Sequence, residues 1–132
     1  MATTAKITIV SSDLLSDALD LAASTTLFKS GASTDVEKTT GLARYSSGST
    51  SYVKLLESGD YTGSKAHKLY IKHTSTTRTD FVELQLGTSG STEVLGRLYG
   101  GEWALIPWSG DADFGVVQSA TTSVLEWMLF YE

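Results

Sequence analysis

Between Glu93 and Trp108 the chain reads EVLGRLYGGEWALIPW, and its apolar positions alternate. Successive side chains of a strand point to opposite faces, so Val94, Gly96, Leu98 and Gly100 share one face while Leu95, Arg97 and Tyr99 share the other. Gly100-Gly101 supplies the positive φ of a tight turn, after which Trp103, Leu105 and Pro107 alternate with Ala104, Ile106 and Trp108. The pattern predicts a β-hairpin. A run this apolar on both faces implies cover on both sides, or an outer face that meets another subunit. Pro107 has no N–H to donate in mid-strand, which predicts an edge or a bulge where another chain can dock.

The same period of two recurs along the chain. Lys6 to Ser11 sets Ile7 and Ile9 against Thr8 and Val10 and predicts a first strand. For SDLLSDALDLAASTTLF two readings compete. Ser12 or Asp13 could cap a helix bearing Leu14, Leu15, Ala18, Leu19 and Ala22, whereas Leu19, Leu21, Ala23, Thr25 and Leu27 keep strand spacing. The Ser-Thr-Thr run at 24–26 favours a short turn through Asp17 and a strand to about Phe28. Tyr52, Leu55 and Leu56 mark a strand closed by Ser58-Gly59-Asp60. His67 to Thr74 alternates Leu69 and Ile71 against Lys68, Tyr70 and Lys72, and Phe81 to Leu86 carries Val82, Leu84 and Leu86 inward. Phe114 to Gln118 and the closing VLEWMLFYE complete the series. In the latter, Val124, Glu126, Met128 and Phe130 share one face and Leu125, Trp127, Leu129 and Tyr131 the other, so both need cover. Eight to ten short strands without a long helix predict an all-β fold, an antiparallel two-sheet sandwich of jelly-roll type.

Residues 29–48, KSGASTDVEKTTGLARYSSG, are the longest loop-like stretch, with one short strand at Leu42 to Tyr45. Long loops in compact domains tend to be functional, which makes this a contact arm on a single domain of 132 residues. Composition narrows the partners. Ten basic against 15 acidic residues give net charge -5, without the basic stripe that phosphate neutralisation requires, so nucleic acid is not expected. Ser and Thr make up 36 residues, and β-branched Thr suits an exposed pleated face. Cysteine is absent, which removes thiolate chemistry and disulfides and fits a reducing cytoplasm. No stretch nears the roughly 20 apolar residues of a membrane span, and MATTAKITIVSS does not read as a secretion signal. The expectation is a soluble, unsecreted product with no membrane partner.

Candidate chemistry is sparse. His67 and His73 share a strand face but lie about 20 Å apart at the usual rise, too far to share a metal, and read as solvated strand-end residues. Asp111-Ala112-Asp113 lacks the further carboxylates of a calcium loop and reads as a turn. No nucleophile elbow or phosphate cradle is present, so no catalytic, cofactor or metal site is expected and the chain is not read as an enzyme. Arg97, Tyr99, Trp103 and Trp108 could stack on a sugar ring, although core packing or a subunit interface explains them more economically.

HKLYIKHTSTTRTDFVELQLG, then GRLYGGEWALIPW, GDADF and VLEWMLFYE, together resemble small virion proteins of tailed bacteriophages, particularly those of aquatic bacteria such as cyanobacteria. The resemblance covers residues 67 to 132. It implies a capsid decoration, or cement, protein on the virion surface: a small β-sandwich, assembled in host cytoplasm, forming a homo-oligomer, with a trimer favoured, and bridging subunits of the major capsid protein. On that expectation Trp103, Trp108, Trp127, Leu129 and Tyr131 make subunit contacts. The 30–47 loop, with Val36, Leu42 and Tyr45, faces the capsid. The alternatives are a tail, fibre or baseplate component, or a carbohydrate-binding module contacting the host surface.

Overall fold

A computed structural model of the chain describes residues 2–14 and 18–132. The expected turn at Asp17 lies outside these residues. The chain separates into two compact units, 1–37 and 38–132.

The first unit is a ribbon. Strands β1 (Thr4–Ser11) and β2 (Leu19–Thr26) pair antiparallel in unbroken register from Thr4 opposite Thr26 to Ser11 opposite Leu19. The helical reading of this segment is not realised over residues 19–26, where strand spacing wins. Ile7 faces Ala23 and Ile9 faces Leu21, giving the ribbon one apolar face, and Ile9 is 47% exposed. Beyond it, the Leu27 N–H donates to the Thr3 carbonyl and the Val36 N–H to the Leu27 carbonyl, both at 2.9 Å. Phe28 bridges Asp35 around a small loop.

The second unit holds nine strands: β3 (Lys38–Thr39), β4 (Ala43–Tyr45), β5 (Val53–Leu56), β6 (His67–His73), β7 (Phe81–Thr88), β8 (Ser91–Tyr99), β9 (Trp103–Trp108), β10 (Phe114–Gln118) and β11 (Leu125–Tyr131). They form two antiparallel sheets. One runs β5-β10-β7-β8; the other runs β3-β11-β6-β9, with β4 pairing the same strand, β11. Between them lies one core, drawn from both sheets: Leu69 and Ile71 of β6, Leu125 and Leu129 of β11, Phe114 and Val116 of β10, Val82 and Leu84 of β7, Leu98 of β8 and Trp108 of β9. The expected all-β architecture of antiparallel sheets is what the chain adopts, and two sheets sharing a core is the arrangement of a sandwich.

Two expectations need correction. The Glu93 to Trp108 stretch is not a hairpin, because β8 pairs with β7 and β9 pairs with β6, in different sheets. The turn itself is as predicted: the Glu102 N–H donates to the Tyr99 carbonyl at 2.9 Å and Gly101 has φ +89°. Past this turn the chain rounds a corner from one sheet into the other. The Gly101 N–H donates to the His73 carbonyl at 2.8 Å and the Gly100 N–H to that of Asp80 at 3.1 Å, which ties the crossing to β6 and the loop after it. Within β8 a bulge sets Gly96 opposite Leu84 and Val94 opposite Gln85, so Leu95 is the extra residue and strict alternation ends there. The second correction concerns the expected contact arm. Residues 38–45 are not free loop, since β3 and β4 lie along one edge of β11, with Tyr131 opposite Lys38 and Leu125 opposite Tyr45.

A Cβ at Gly100 would collide with the Thr77 carbonyl oxygen, a backbone atom with little freedom to retreat. Gly100→Ala is therefore expected to lower stability by about 1–3 kcal/mol through overpacking. Gly101→Ala, with open space but a left-handed φ, should cost about 1–2 kcal/mol. Urea unfolding midpoints measure both, and a Gly100→Ala protein unfolding at the wild-type midpoint would contradict the packed corner.

Candidate interaction surface

The alternation in β6 sorts the larger sheet into two faces. Leu69 and Ile71 point inward, so Lys68, Tyr70 and Lys72 point outward, and register carries the choice to the neighbouring strands. Opposite Tyr70 stand Leu105 of β9 and Met128 of β11; opposite Lys72 stand Trp103 and Glu126; opposite Lys68 stand Pro107 and Phe130. Arg44 extends the row at Glu126 and Thr39 the row at Phe130. The outer face is thus an apolar band of Trp103, Leu105, Tyr70, Met128 and Phe130 with charges around it. Trp103 is 50% and Leu105 38% exposed, and β9 is the edge strand that Pro107 foretold. Partial burial, and secondarily the Glu126 carboxylate, push the Tyr70 hydroxyl above its ordinary pKa.

The expected interface residues divide differently. Trp103 is on the uncovered face. Trp108 is a core residue, 3% exposed, whose indole Nε1–H donates to the Ala112 carbonyl at 2.8 Å. It packs with Tyr61 and His67, and the Tyr61 ring, 5.5 Å from that of Trp108, lies 5.0 Å from that of Tyr131. Leu129 is fully buried, and Trp127 and Tyr131 pack against the core, so this side of β11 is interior. The free side is Met128 and Phe130. Both faces of β11 are apolar, and the sequence clue that separates them is Glu126, which shares a face with Met128. Of the residues expected to meet the capsid, Val36 is buried, Tyr45 stands opposite buried Leu125, and Leu42 is 60% exposed.

The smaller sheet carries an internally paired polar cluster beside the exposed Val94, Leu95 and Tyr99 of β8. Arg97 Nε donates to Glu83 Oε2 at 3.0 Å, Gln85 Nε2 donates to Glu83 Oε1 at 2.6 Å, and the guanidinium lies 4.0 Å over the Phe81 ring. Phe81 in turn meets Tyr99 edge-on. The Gln85 amide, with the Arg97 guanidinium, holds the Glu83 carboxyl below its usual range. This is a cross-strand ladder with an aromatic edge.

His67 and His73 are both fully buried, which corrects the solvated reading. They share the inward face with Leu69 and Ile71. His67 Nε2 lies 2.8 Å from the Thr62 carbonyl and its Nδ1 accepts from the Glu132 N–H at 3.3 Å, so the proton sits on Nε2. His73 Nδ1 lies 3.1 Å from the Leu98 carbonyl. Asp111 and Asp113 hold loops, as a turn reading expects. Asp111 Oδ2 accepts from the Ser64 N–H at 2.9 Å; Asp113 accepts from the Ser58 N–H at 2.7 Å and from Lys54 Nζ at 3.1 Å. No group of three or more His, Asp or Glu is placed to hold a metal among the described residues.

The class these features define is an all-β domain whose distinguishing surface is an uncovered apolar sheet face. Comparison with protein-family models, with curated proteins and with solved structures finds no match.

The Ser58 N–H, then Lys54, hold the Asp113 carboxyl below its ordinary value of 3.8. A depressed carboxylate adds stability above the unfolded-state pKa and loses it as pH falls through the lower folded value. Asp113→Asn should therefore be destabilised at pH 7, with the gap to wild type closing below about pH 4. Denaturant melts across pH 3–7 measure it; a constant gap would refute the role.

Proposed function

We propose that the chain is a structural virion protein of the capsid-decoration type, which assembles as a homo-oligomer, with a trimer favoured, and bridges subunits of a bacteriophage head. The observation that carries this reading is the outward apolar band of exposed Trp103 and Leu105 with half-buried Tyr70, Met128 and Phe130. Contiguous apolar surface rimmed by charge marks an interaction site. Strand order supports it. Taken alone, β4 to β11 make the sheets β4-β11-β6-β9 and β5-β10-β7-β8, which we read as the eight-stranded jelly roll, an architecture that serves in viral capsids and lectins. Resemblance of residues 67 to 132 to small phage virion proteins points the same way. On this reading the work is mechanical: modest interfaces repeated over a shell add up through multivalency, and no covalent step is needed.

A carbohydrate-binding role at the host surface is the second reading, favoured by the Glu83, Arg97 and Gln85 ladder beside Phe81 and Tyr99. Its fixed donors and acceptors next to an aromatic edge suit a sugar ring. The two separate in one experiment. Purified protein mixed with expanded, undecorated phage heads is expected to bind saturably and raise their resistance to disruption. Glycan binding without affinity for heads would transfer the assignment to the second reading, and failure to bind heads would remove the first.

A further inference from the structure

The backbone of β9 is half used. It pairs with β6 on one edge, and no strand pairs its other edge among the described residues. Hydrogen-bond parity decides which groups face that open edge, because opposed residues of an antiparallel pair alternate between exchanging both backbone bonds and exchanging none. The His73 N–H donates to the Glu102 carbonyl at 2.9 Å, so by the same period Ile71 with Ala104 and Leu69 with Ile106 are the bonded pairs. On the far side of β6 the Thr74 N–H donates to the Val124 carbonyl at 3.1 Å, which assigns the backbone of Lys72, Tyr70 and Lys68 to β11 and gives the same parity. Trp103, Leu105 and Pro107 therefore turn their backbone to the open edge. Trp103 and Leu105 each bring an N–H and a carbonyl there, whereas Pro107 brings a carbonyl alone. None of the three has another backbone partner among the described residues.

We propose that this edge pairs with itself: two copies join β9 to β9, antiparallel, about a two-fold axis at Leu105. Leu105 then stands opposite its counterpart and exchanges both bonds with it, while each Trp103 N–H meets the Pro107 carbonyl of the other copy. Every donor of the open edge is used, and the position without one falls at the end of the ladder. An axis at Ala104 would overlap only Trp103 to Leu105, and one at Ile106 would carry Trp103 past the end of the other β9; at Leu105 the strands overlap from Trp103 to Pro107. Side chains fit the same register. The outward row Met128, Tyr70, Leu105 continues across the axis as Leu105, Tyr70, Met128 of the second copy, one apolar row on one continuous sheet. The exposed large apolar residues of β9, Trp103 at 50% and Leu105 at 38%, are the ones covered. Like charges do not meet, because Trp103 and Pro107 stand between Lys72 of one copy and Lys68 of the other. An unpaired edge with apolar neighbours is a template for another strand, and an isologous contact closes it with two copies. This goes beyond the proposed function, since the pairing needs no capsid and a trimer requires a separate three-fold contact.

Leu105→Pro removes a donor that β6 does not use, at an edge position where proline is tolerated. Leu105→Lys keeps the backbone and places a charge on the axis. Circular dichroism and thermal unfolding check that the fold survives. Wild type is expected to sediment with an even number of copies, and each folded variant at half that mass. A cysteine-free chain offers a second measurement that disrupts nothing: Leu105→Cys supplies its only thiol, and opposed residues of a bonded pair lie about 5.5 Å apart at Cα, within disulfide reach. Oxidation should give the covalent dimer at least about tenfold faster than for Val94→Cys, exposed on β8. A monomeric wild type, a folded Leu105→Lys protein of unchanged mass, or equal oxidation rates would each overturn the pairing. A trimeric wild type that binds phage heads would also overturn it, while leaving the decoration role standing.

Discussion

The inward face of β6 is the constraint on which residues 38–132 depend. Leu69 and Ile71 are fully buried, and the strand pairs on both edges, with β9 and with β11. A slip of one residue would exchange them for Lys68 and Lys72 and drive two ammonium groups into the core. That cost fixes the register, and the register decides everything beside it. Trp127 and Leu129 must follow Ile71 and Leu69 inward; Met128 and Phe130 must follow Tyr70 and Lys68 outward. The exposed band is thus the other side of the same decision that builds the core.

Of the two histidines buried on that face, His67 reaches backbone through both ring nitrogens, whereas His73 does so through Nδ1 alone and its buried Nε2 has no hydrogen-bond partner among the described residues. His67 meets the Thr62 carbonyl and the Glu132 N–H, which ties the loop before β6 to the residue after β11. Asp111 and Asp113 act similarly from the β9-β10 turn, reaching Ser64 and Ser58 in the β5-β6 connection. The polar connections here are therefore tied by side chains that reach across them, His67 and Asp113 buried and Asp111 exposed, and the many hydroxyls do not by themselves mean loose surface.

Strands with strong contrast between faces were legible from the chain alone. Phe114–Gln118 has the bounds its pattern implied, β6 buries Leu69 and Ile71, and β7 buries Val82 and Leu84; past the bulge at Leu84/Gln85, Leu86 is only half-buried and Gln85 is buried instead. Pairing was not legible. A two-glycine turn has the same local chemistry whether its strands return side by side or part into different sheets, and only contacts distant in sequence, such as Gly101 to His73, decide which. Face assignment failed at β11 for a related reason: both its faces are apolar, and the tie is broken by β6. The histidines were misread although the signal was present, since even spacing from Leu69 and Ile71 already placed them inward. Nothing local marked β3, whose two residues are strand only because β11 offers an edge.

The exposed apolar residues are concentrated, and their concentration has a thermodynamic consequence. Single exposed leucines are ordinary on any surface. Here they lie on the ribbon (Ile7, Ile9, Val10 and Leu21), on β8 (Val94, Leu95 and Tyr99) and on β9 (Trp103 and Leu105), with Leu14, Phe28 and Leu42 apart, while the core between the sheets is filled. Proteins usually blunt an open edge with proline, bulges or charge; β9 has Pro107 and β8 its bulge, whereas β1 and β2 are regular over all eight pairs and carry only Lys6 and Asp20 as charges. A ribbon so regular and so little protected gains order from whatever covers it.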